Sequence, residues 1–334
     1  MSKFIKFPSI GQFRNTCKSV IESARFVSFC KETNQVITNP SAILPIVTFT
    51  GTVKAHGTNA AVGFDPKTGE VWAQKRNGLA TIEKDNAGFA FFVESNKEFI
   101  TELLILNTED GNDEVVTIFG EWCGGNIQKG VAICELEKMF IAFACKQGED
   151  WKELEELPND SRVYYISDFP TYTIDIDFNC PEKSINSMTE LTDKIELECP
   201  IGKHFGVSGI GEGVVWSGNY KGNNLRFKVK GEKHSSSKVK KLASVDIEKL
   251  KSIQDFVDYS VTENRLMQGI EQVFTIESKE PNIKDLGTYL KWIMSDIVKE
   301  EMDTLLGSGL EPKDVGRPVS TKARIWFIDK YVGI

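Results

Sequence analysis

The stretch VTFTGTVKAHGTN, residues 47–59, decides the fold of this chain. Apolar residues alternate with threonines from Val47 to Val53, and Gly51 keeps the apolar register, which predicts a strand with one buried face. Lys54 ends the strand on its polar face. The glycine turn that follows lets backbone approach a ligand closely. Lys54 is therefore a candidate reactive group on a rigid platform, although most lysines are only solvated surface charges.

Before this stretch the apolar residues have helical spacing. After it they have the spacing of strands as far as residue 230, and beyond the connector described below they have helical spacing again. Apolar residues at helical spacing predict a helix over 9–27. Period-two and apolar runs predict further strands, which continue from the turn through Phe64 and then lie at 71–76, 115–121, 140–145, 163–166, 213–217 and 225–230. A Lys/Ser-rich connector follows at 231–241. Helical faces come after it, marked by Ile247 to Val257, Leu266 to Val273 behind a capping pair Ser260 and Glu263, Leu286 to Ile297, and a last helix over 321–331.

The charge balance excludes one class of protein and locates a basic segment. The 334 residues hold 40 Lys and Arg against 48 Asp and Glu, a net charge of −8. That balance argues against a protein that coats nucleic acid nonspecifically. Residues 221–241 nevertheless hold eight basic residues and one acid. Positive charge is thus predicted to be confined to a short strip.

Composition also bears on the compartment. The seven cysteines are an odd number without a CxxC pair, which favours reduced thiols in a cytoplasmic protein over a disulfide framework. The first residues lack the apolar core of a secretory signal, and no run approaches the roughly 20 apolar residues of a membrane span. Three histidines argue against a multi-histidine metal site.

Four more signals are weak one by one. Arg226, Lys228 and Lys230 share one face of a strand, which fits either a phosphate clamp or a solvated edge strand. Glu121 and Glu212 each lie beside glycines at the end or start of a strand, and each fits either a ligand-binding carboxylate or a turn. Phe140 and Phe143 lie three apart, so they face opposite sides of one strand.

Taken in chain order, these signals resemble the covalent nucleotidyltransferase superfamily, which contains ATP-dependent polynucleotide ligases and mRNA capping enzymes. The pattern is Lys54-Ala-His-Gly-Thr-Asn59, then Lys75-Arg76, Phe-Gly-Glu121, Phe143, Glu212-Gly-Val-Val and Lys228-Val-Lys230. KxHGxN, and the segment 125–129 that ends in Ile-Gln-Lys, are similar to the RNA ligase 2 family of nick-sealing phage and RNA-editing ligases. The likeness covers roughly residues 45–235. DNA ligases and capping enzymes usually continue into a β-rich OB-fold, whereas this chain continues into helical patterns.

The resemblance implies an α+β fold. An antiparallel-sheet nucleotidyltransferase (ATP-grasp-like ligase) domain over 1–235 would precede a small all-helical domain over 236–334. It implies an ATP-dependent RNA ligase that joins 3′-OH and 5′-phosphate ends through lysyl-AMP and an RNA-adenylate. The expected partner is nicked duplex RNA, in RNA repair. The protein is expected to be monomeric and cytoplasmic (in the host cytoplasm if phage-encoded), without a membrane partner and with Mg²⁺ or Mn²⁺ as metal.

The resemblance also implies roles for the residues that match its motifs. Lys54 would be the nucleophile, Glu212 would serve the metal, and Glu121 would engage the ribose of adenosine. Phe143, or Phe140 in another register, would stack on adenine.

The remaining matches concern phosphates and the later steps. Asn59 and Arg76 would engage phosphate or the substrate end. Lys228 would contact the α-phosphate, and Lys230 would take part in nucleotidyl transfer. His56 would act after the lysine is adenylylated.

Three alternatives stay open. One is a capping-type guanylyltransferase that uses GTP. Another is a ligase that joins single-stranded RNA. The third is a catalytically silent nucleic-acid binder, which the complete set of charged motif positions disfavours.

Overall fold

A computed structural model describes residues 4–158, 161–234, 253–275 and 279–332. Strands lie between residues 26 and 230, and the described residues beyond 253 are helical apart from short connections. The α+β fold class predicted from the sequence is confirmed. The described strands are β1 (Phe26–Cys30), β2 (Gln35–Thr38), β3 (Ile46–Val53), β4 (Gly57–Asp65), β5 (Glu70–Lys75), β6 (Gly78–Ala80), β7 (Val116–Cys123), β8 (Met139–Gln147), β9 (Asp150–Lys152), β10 (Val163–Tyr165), β11 (Thr171–Asp177), β12 (Gly213–Tyr220) and β13 (Asn223–Lys230).

The described strands form three sheets. One is the β1–β2 hairpin. The second is seven-stranded in the order β10-β8-β7-β4-β5-β6, with β9 paired to β8, and the third is four-stranded in the order β11-β3-β12-β13. Every described strand pair is antiparallel except β10–β8. The predicted antiparallel sheet is therefore confirmed.

Helices cover the sheets and form the C-terminal region. Their bounds are α1 (Phe13–Arg25), α2 (Phe89–Ser95), α3 (Lys97–Leu106), α4 (Lys183–Leu197), α5 (Pro200–His204), α6 (Ile253–Ser260), α7 (Glu263–Ile270), α8 (Leu286–Gly307) and α9 (Pro312–Tyr331). A π-helical turn, Glu271–Thr275, continues α7. Among the described residues, no helix is both long and apolar enough to cross a membrane.

β3 follows the alternation that its sequence predicts. Val47, Phe49, Gly51 and Val53 point into the core, and the residues between them are exposed or half-buried. The indole ring of Trp216 on β12 lies directly against Gly51. A Cβ at this position would come within 2.8 Å of the ring. The glycine thus leaves room for the buried Trp216 ring on that face of the sheet.

The N-terminal segment, residues 5–11, joins the two large sheets. Ile5 exchanges two hydrogen bonds with the side chain of Gln74 on β5, at 3.1 and 3.0 Å. The ring of Phe7 packs between the two sheets, against Phe119 and the guanidinium of Arg226. The carbonyl of Gly11 accepts the backbone N–H of Lys228 on β13, at 3.0 Å.

The helical region has its own core and a buried cation. Tyr289, Ile293 and Phe327 are fully buried among α6 to α9. The fully buried Arg265 forms ion pairs with Asp296 at 2.8 Å and Glu301 at 3.3 Å. The positive charge of Arg265 is therefore neutralised inside this region.

Three predicted boundaries are wrong, and each has a local cause. The helix predicted over 9–27 spans only 13–25, because the β-favouring run after it pairs with β2. The helix predicted from residue 321 already begins at Pro312, a residue suited to a first helical turn. The cap before α7 is Thr262, which accepts the N–H of Arg265, and not Ser260. The predicted helical face from Ile247 and most of the connector lie outside the described residues.

Candidate active site

Lys54 lies where the chain passes from the four-stranded sheet to the seven-stranded one. Its N–H donates to the carbonyl of Gly213 at 2.8 Å, which extends the pairing of β3 with β12 by one residue. A Cβ at Gly57 would come within 2.4 Å of the carbonyl oxygen of Trp122, so only glycine fits there. The crossing between the sheets therefore fixes the backbone on both sides of the lysine.

Glu212 gathers three of the predicted site residues. Its Oε2 accepts Lys54 Nζ at 2.7 Å and lies 2.8 Å from His56 Nδ1, and its Oε1 accepts Lys230 Nζ at 2.9 Å. The carboxylate is 2% exposed. Burial alone would raise the pKa of Glu212, but Lys230, Lys54 and His56 outweigh it and hold that pKa well below its usual value. Glu212 is therefore a buried, ionised carboxylate at the centre of a cation cluster.

Lys228 binds a carboxylate other than Glu212, and this carboxylate comes from the helices. It lies two residues before Lys230 on the same face of β13, and its Nζ donates to Glu300 of α8 at 2.7 Å. Burial lowers the pKa of Lys228, and Glu300 opposes that change. Burial would raise the pKa of Glu300, but the charge and hydrogen bond of Lys228 hold it at about 2.

Asn59, Glu121 and Arg76 form the neighbouring part of the site, on the seven-stranded sheet. Asn59 of β4 is paired with Glu121 of β7, and its amide donates to the carbonyl of Gly120 at 3.5 Å. Burial raises the pKa of Glu121 to about 7, with Lys54 opposing and Glu212 adding to the shift. Burial lowers the pKa of Arg76, and Glu121 opposes it. Glu121 is thus coupled electrostatically to the Glu212 cluster, and Arg76 is coupled to Glu121.

The two candidate aromatic residues lie on opposite faces of β8, as predicted. Phe140 is fully buried beneath α2, with its ring 5.2 Å from that of Phe89. Phe143 is half-buried and packs against Phe7 at 5.2 Å. A β-bulge against β7 leaves Phe143 without a partner in the strand pairing and places it on the same face as Phe119 of β7. Glu121, two residues after Phe119, lies on that face as well.

Three residues of this site were missed in the sequence. Glu300 reaches Lys228, and Glu271 of the π-helical turn lies 4.0 Å from His56 Nε2. The ring of His234 meets that of His56 edge to face at 5.2 Å. Glu300 lies 72 positions from Lys228 and Glu271 lies 215 positions from His56, so no local spacing in the sequence pointed to these two acids. His234 closely follows Lys230, and this proximity to a motif lysine was the one available signal.

His234 is held neutral. Burial lowers its pKa to about 4, with Glu212 opposing and His56 adding to the shift. Its Nδ1 is buried and has no hydrogen-bond partner among the described residues. A neutral imidazole therefore lies next to the cation cluster.

The third basic residue of β13 has a different environment. The guanidinium of Arg226 lies over the ring of Trp151, 4.3 Å from its centre, and burial lowers its pKa. Its position thus differs from those of Lys228 and Lys230, which are each paired with a carboxylate.

Comparison with known proteins identifies the family. The RNA ligase family model matches residues 47–230, more than half of the chain. No curated protein matches the sequence. A solved RNA ligase from Naegleria gruberi with pyrophosphate has a TM-score of 0.43 and 17% identity, over 69% of this chain and 57% of that one. An archaeal ATP-dependent RNA ligase has a TM-score of 0.37 and 11% identity, over 98% of this chain and 65% of that one.

The chain thus spans little more than half the length of the Naegleria ligase. The matched segment begins in β3 and ends at Lys230, so it contains every residue that the sequence singled out for the site. On this match over residues 47–230, the chain belongs to the RNA ligase family.

Proposed function

We propose that this protein is an ATP-dependent RNA ligase that joins 3′-OH and 5′-phosphate RNA ends. The observation that carries the proposal is the convergence of Lys54, His56 and Lys230 on the buried Glu212. Family membership gives that cluster its chemical context. A lysine beside fixed cations at the junction of two sheets suits nucleotidyl transfer, in which positioning and charge neutralisation dominate catalysis.

In the first step, Nζ of Lys54 attacks the α-phosphate of ATP, and pyrophosphate leaves. The amine needs a free electron pair, so its ion pair with Glu212 at 2.7 Å has to open and its proton has to pass to water first, to which the side chain is 20% exposed. Lys228 and Lys230 supply positive charge for the phosphate oxygens in the transition state. The product is lysyl-AMP, joined by a phosphoramidate bond.

In the later steps, AMP passes from Lys54 to the 5′-phosphate of an RNA end and forms a 5′–5′ pyrophosphate. The 3′-hydroxyl of the other end attacks the activated phosphate, and AMP leaves. We assign these steps to His56, because it is the buried group that shares Oε2 of Glu212 with the nucleophile. Lys54 is free for another cycle once its AMP has passed to the RNA, and the AMP released on sealing leaves from the RNA-adenylate.

The adenosine is proposed to lie along the seven-stranded sheet. Glu121 would accept a ribose hydroxyl, and Phe143 would stack on adenine from the face that it shares with Phe119. The opposite face, with Phe140, is filled by core. Asn59 and Arg76 are proposed to engage phosphate or the RNA end.

Glu212 is the proposed metal ligand. The described residues contain no group of three His, Cys, Asp or Glu side chains that could hold an ion by themselves. Magnesium in nucleotide sites commonly uses one or two carboxylates together with phosphates and water, so a single buried carboxylate fits this ion. When bound, Mg²⁺ or Mn²⁺ would neutralise charge on the phosphates.

Nicked duplex RNA is the proposed substrate, and the protein is proposed to act as a monomer. Residues 1–235 are proposed as the adenylyltransferase domain and 236–334 as a helical domain that recognises the RNA. The boundary between them falls within residues 235–252, which lie outside the described residues.

The first test is covalent labelling. The protein is incubated with Mg²⁺ and ATP or GTP labelled at the α-phosphate. Label from ATP is expected in the native chain and is expected to be lost in Lys54→Ala, with equal thermal stability as the control. Label from GTP alone would identify a guanylyltransferase, and no label from either nucleotide would rule out the ligase mechanism.

The second test identifies the RNA. The adenylylated protein is offered nicked duplex RNA, nicked DNA and single-stranded RNA. Faster sealing of the RNA nick is expected. Preference for single strands would replace the duplex proposal.

A further inference from the structure

The helical region contributes a carboxylate to the cation cluster. Glu300 of α8 accepts Lys228 Nζ at 2.7 Å, and the two side chains are only 8% and 16% exposed. The other two lysines of the site, Lys54 and Lys230, bind Glu212 instead. The charge of Lys228 is therefore neutralised from a different part of the chain.

A single turn of α8 holds this carboxylate in position. Arg14 donates to the carbonyl of Glu300 at 2.9 Å, to Thr304 Oγ1 at 2.9 Å and to Glu301 Oε2 at 3.1 Å. Gln12 donates to the backbone and side chain of Glu300 at 3.4 Å. Residues 11–14 are in turn bonded to β13 through Gly11 and Lys228. This turn of α8 is therefore fixed against the strand region, by which we mean the described residues from 4 to 234.

A carboxylate and a phosphate offer a lysine the same kind of anionic oxygen. The ammonium group has three donors, so Lys228 does not lack protons for a second acceptor. The two anions repel each other, however, in a buried site where screening by water is weak. A phosphate that approaches Lys228 is therefore opposed while Glu300 remains there.

We propose that Glu300 acts as an internal anion that competes with the nucleotide phosphate for Lys228. This proposal rests on the proposed function, in which Lys228 contacts the α-phosphate. Seating of α8 then weakens nucleotide binding. By reciprocity, a bound nucleotide loosens the seat of α8 by the same factor. The helical region is thereby coupled to the occupancy of the nucleotide site, and Glu300 acts through the position of Lys228.

The test uses the full chain and measures the rate of lysyl-AMP formation against ATP concentration. Glu300→Gln keeps the size of the side chain and removes its charge. The half-saturating ATP concentration is expected to fall by at least about fivefold, the lower end of typical coupling between sites. The maximal rate is expected to stay within about twofold. An unchanged or higher half-saturating concentration would overturn the proposal.

Asp303→Asn is the matched control, because Asp303 is an exposed acid on the same helix. It undergoes the same loss of charge and is expected to leave the ATP dependence unchanged. Glu300→Asp keeps the charge on a side chain shorter by one methylene, so its half-saturating concentration should lie between those of the native chain and Glu300→Gln. Equal effects of Glu300→Gln and Asp303→Asn would argue for a general charge effect and against competition at Lys228.

A second readout does not need catalysis or a stable variant. Amide hydrogen exchange in 286–307 of the native chain is followed with and without inorganic pyrophosphate. Faster exchange with pyrophosphate supports displacement of Glu300, and unchanged exchange contradicts it. If the native chain takes no label from ATP but exchange responds to pyrophosphate, the proposed ligase activity fails while competition for an anion stands.

Discussion

The strand region and the helical region both bury carboxylates against cations, but with different connectivity. In the strand region, Glu212 binds Lys54, His56 and Lys230, which all come from the two large sheets or the crossing between them. In the helical region, Glu300 binds a lysine that belongs to the strand region. The carboxylate that binds the proposed nucleophile therefore comes from the same region as the nucleophile, whereas the one that binds Lys228 comes from the helical region.

The helical region also contains an ion network of its own. Arg265 is fully buried and bonded to Asp296 and Glu301, and Glu301 additionally accepts Tyr259 and Arg14. Glu301 therefore bonds inside the helical region and also to Arg14 of α1, whereas Glu300 binds Lys228 of the site. Adjacent carboxylates on one helix thus have different partners.

Arg265→Met attacks the network of the helical region and should have the largest effect. It leaves two acids next to a hydrophobic side chain, which typically costs about 3–5 kcal/mol for a buried ion pair. Urea unfolding followed by tryptophan fluorescence measures the change. Arg324→Met removes an exposed arginine from α9 and is expected to change stability by less than about 0.5 kcal/mol. Similar losses in both variants would contradict the structural role of Arg265.

Glu212→Gln attacks the cluster of the strand region. Lys54, His56 and Lys230 lose the carboxylate that they share, and the proposed metal ligand is lost. Formation of lysyl-AMP is expected to fall by about 10²–10³-fold, the range found for removal of one preorganised electrostatic group. Glu198→Gln, at an acid that is exposed and paired with Lys203, is the matched control. A loss of less than about threefold would remove Glu212 from the mechanism.

His234 makes the stability of the fold depend on pH. Its folded pKa of about 4 lies below the 6.5 of a free imidazole, so the unfolded chain binds more protons between these values. Stability is therefore complete above pH 6.5 and is lost as pH falls toward 4, by about 1–2 kcal/mol for a partly exposed group. His234→Gln should remove that part of the slope in urea unfolding between pH 7 and 5.

His204→Gln serves as the control for this slope, because His204 is exposed at the end of α5. Its slope should match that of the native chain. If His234→Gln leaves the pH dependence unchanged as well, the imidazole is not held neutral by the fold.

The two aromatic residues of β8 give the smallest effects and separate site from core. Phe143→Leu is expected to raise the half-saturating ATP concentration by about 2–10-fold, the value of one aromatic contact. Phe140→Leu is expected to lower stability by about 1–2 kcal/mol and to leave the ATP dependence unchanged. The reverse pattern would assign the stacking role to Phe140.

Much of this fold could be predicted because it depends on local alternation. β3 alternates as its sequence does, and Phe140 and Phe143 lie on opposite faces of β8. The order of the motifs along the chain predicts that Lys54, His56, Glu212 and Lys230 belong to one site. These predictions rest on period two and on a family pattern that is written along the chain.

The rest depends on contacts that no local pattern records. Phe26 continues the apolar spacing of α1, so only its pairing with Thr38 shows that the helix has ended. Glu300 reads as one more acid on a solvated helix, since its partner lies 72 residues away. Glu212, whose carboxylate accepts Lys54 Nζ, lies 158 positions from it, so no local spacing pairs the two residues.

Residues 5–11 bear on how this protein can be trimmed or fused. They bond to Gln74 on one sheet and to Lys228 on the other, and those sheets carry the two halves of the proposed site. A shortened protein that begins at residue 12 would keep every motif of the RNA ligase family. It would nevertheless lose the bonds that join the sheet proposed to bind adenosine to the sheet that carries Lys228. Residues 5–11 therefore belong to the working unit as much as the motifs do, although the family match begins only at residue 47.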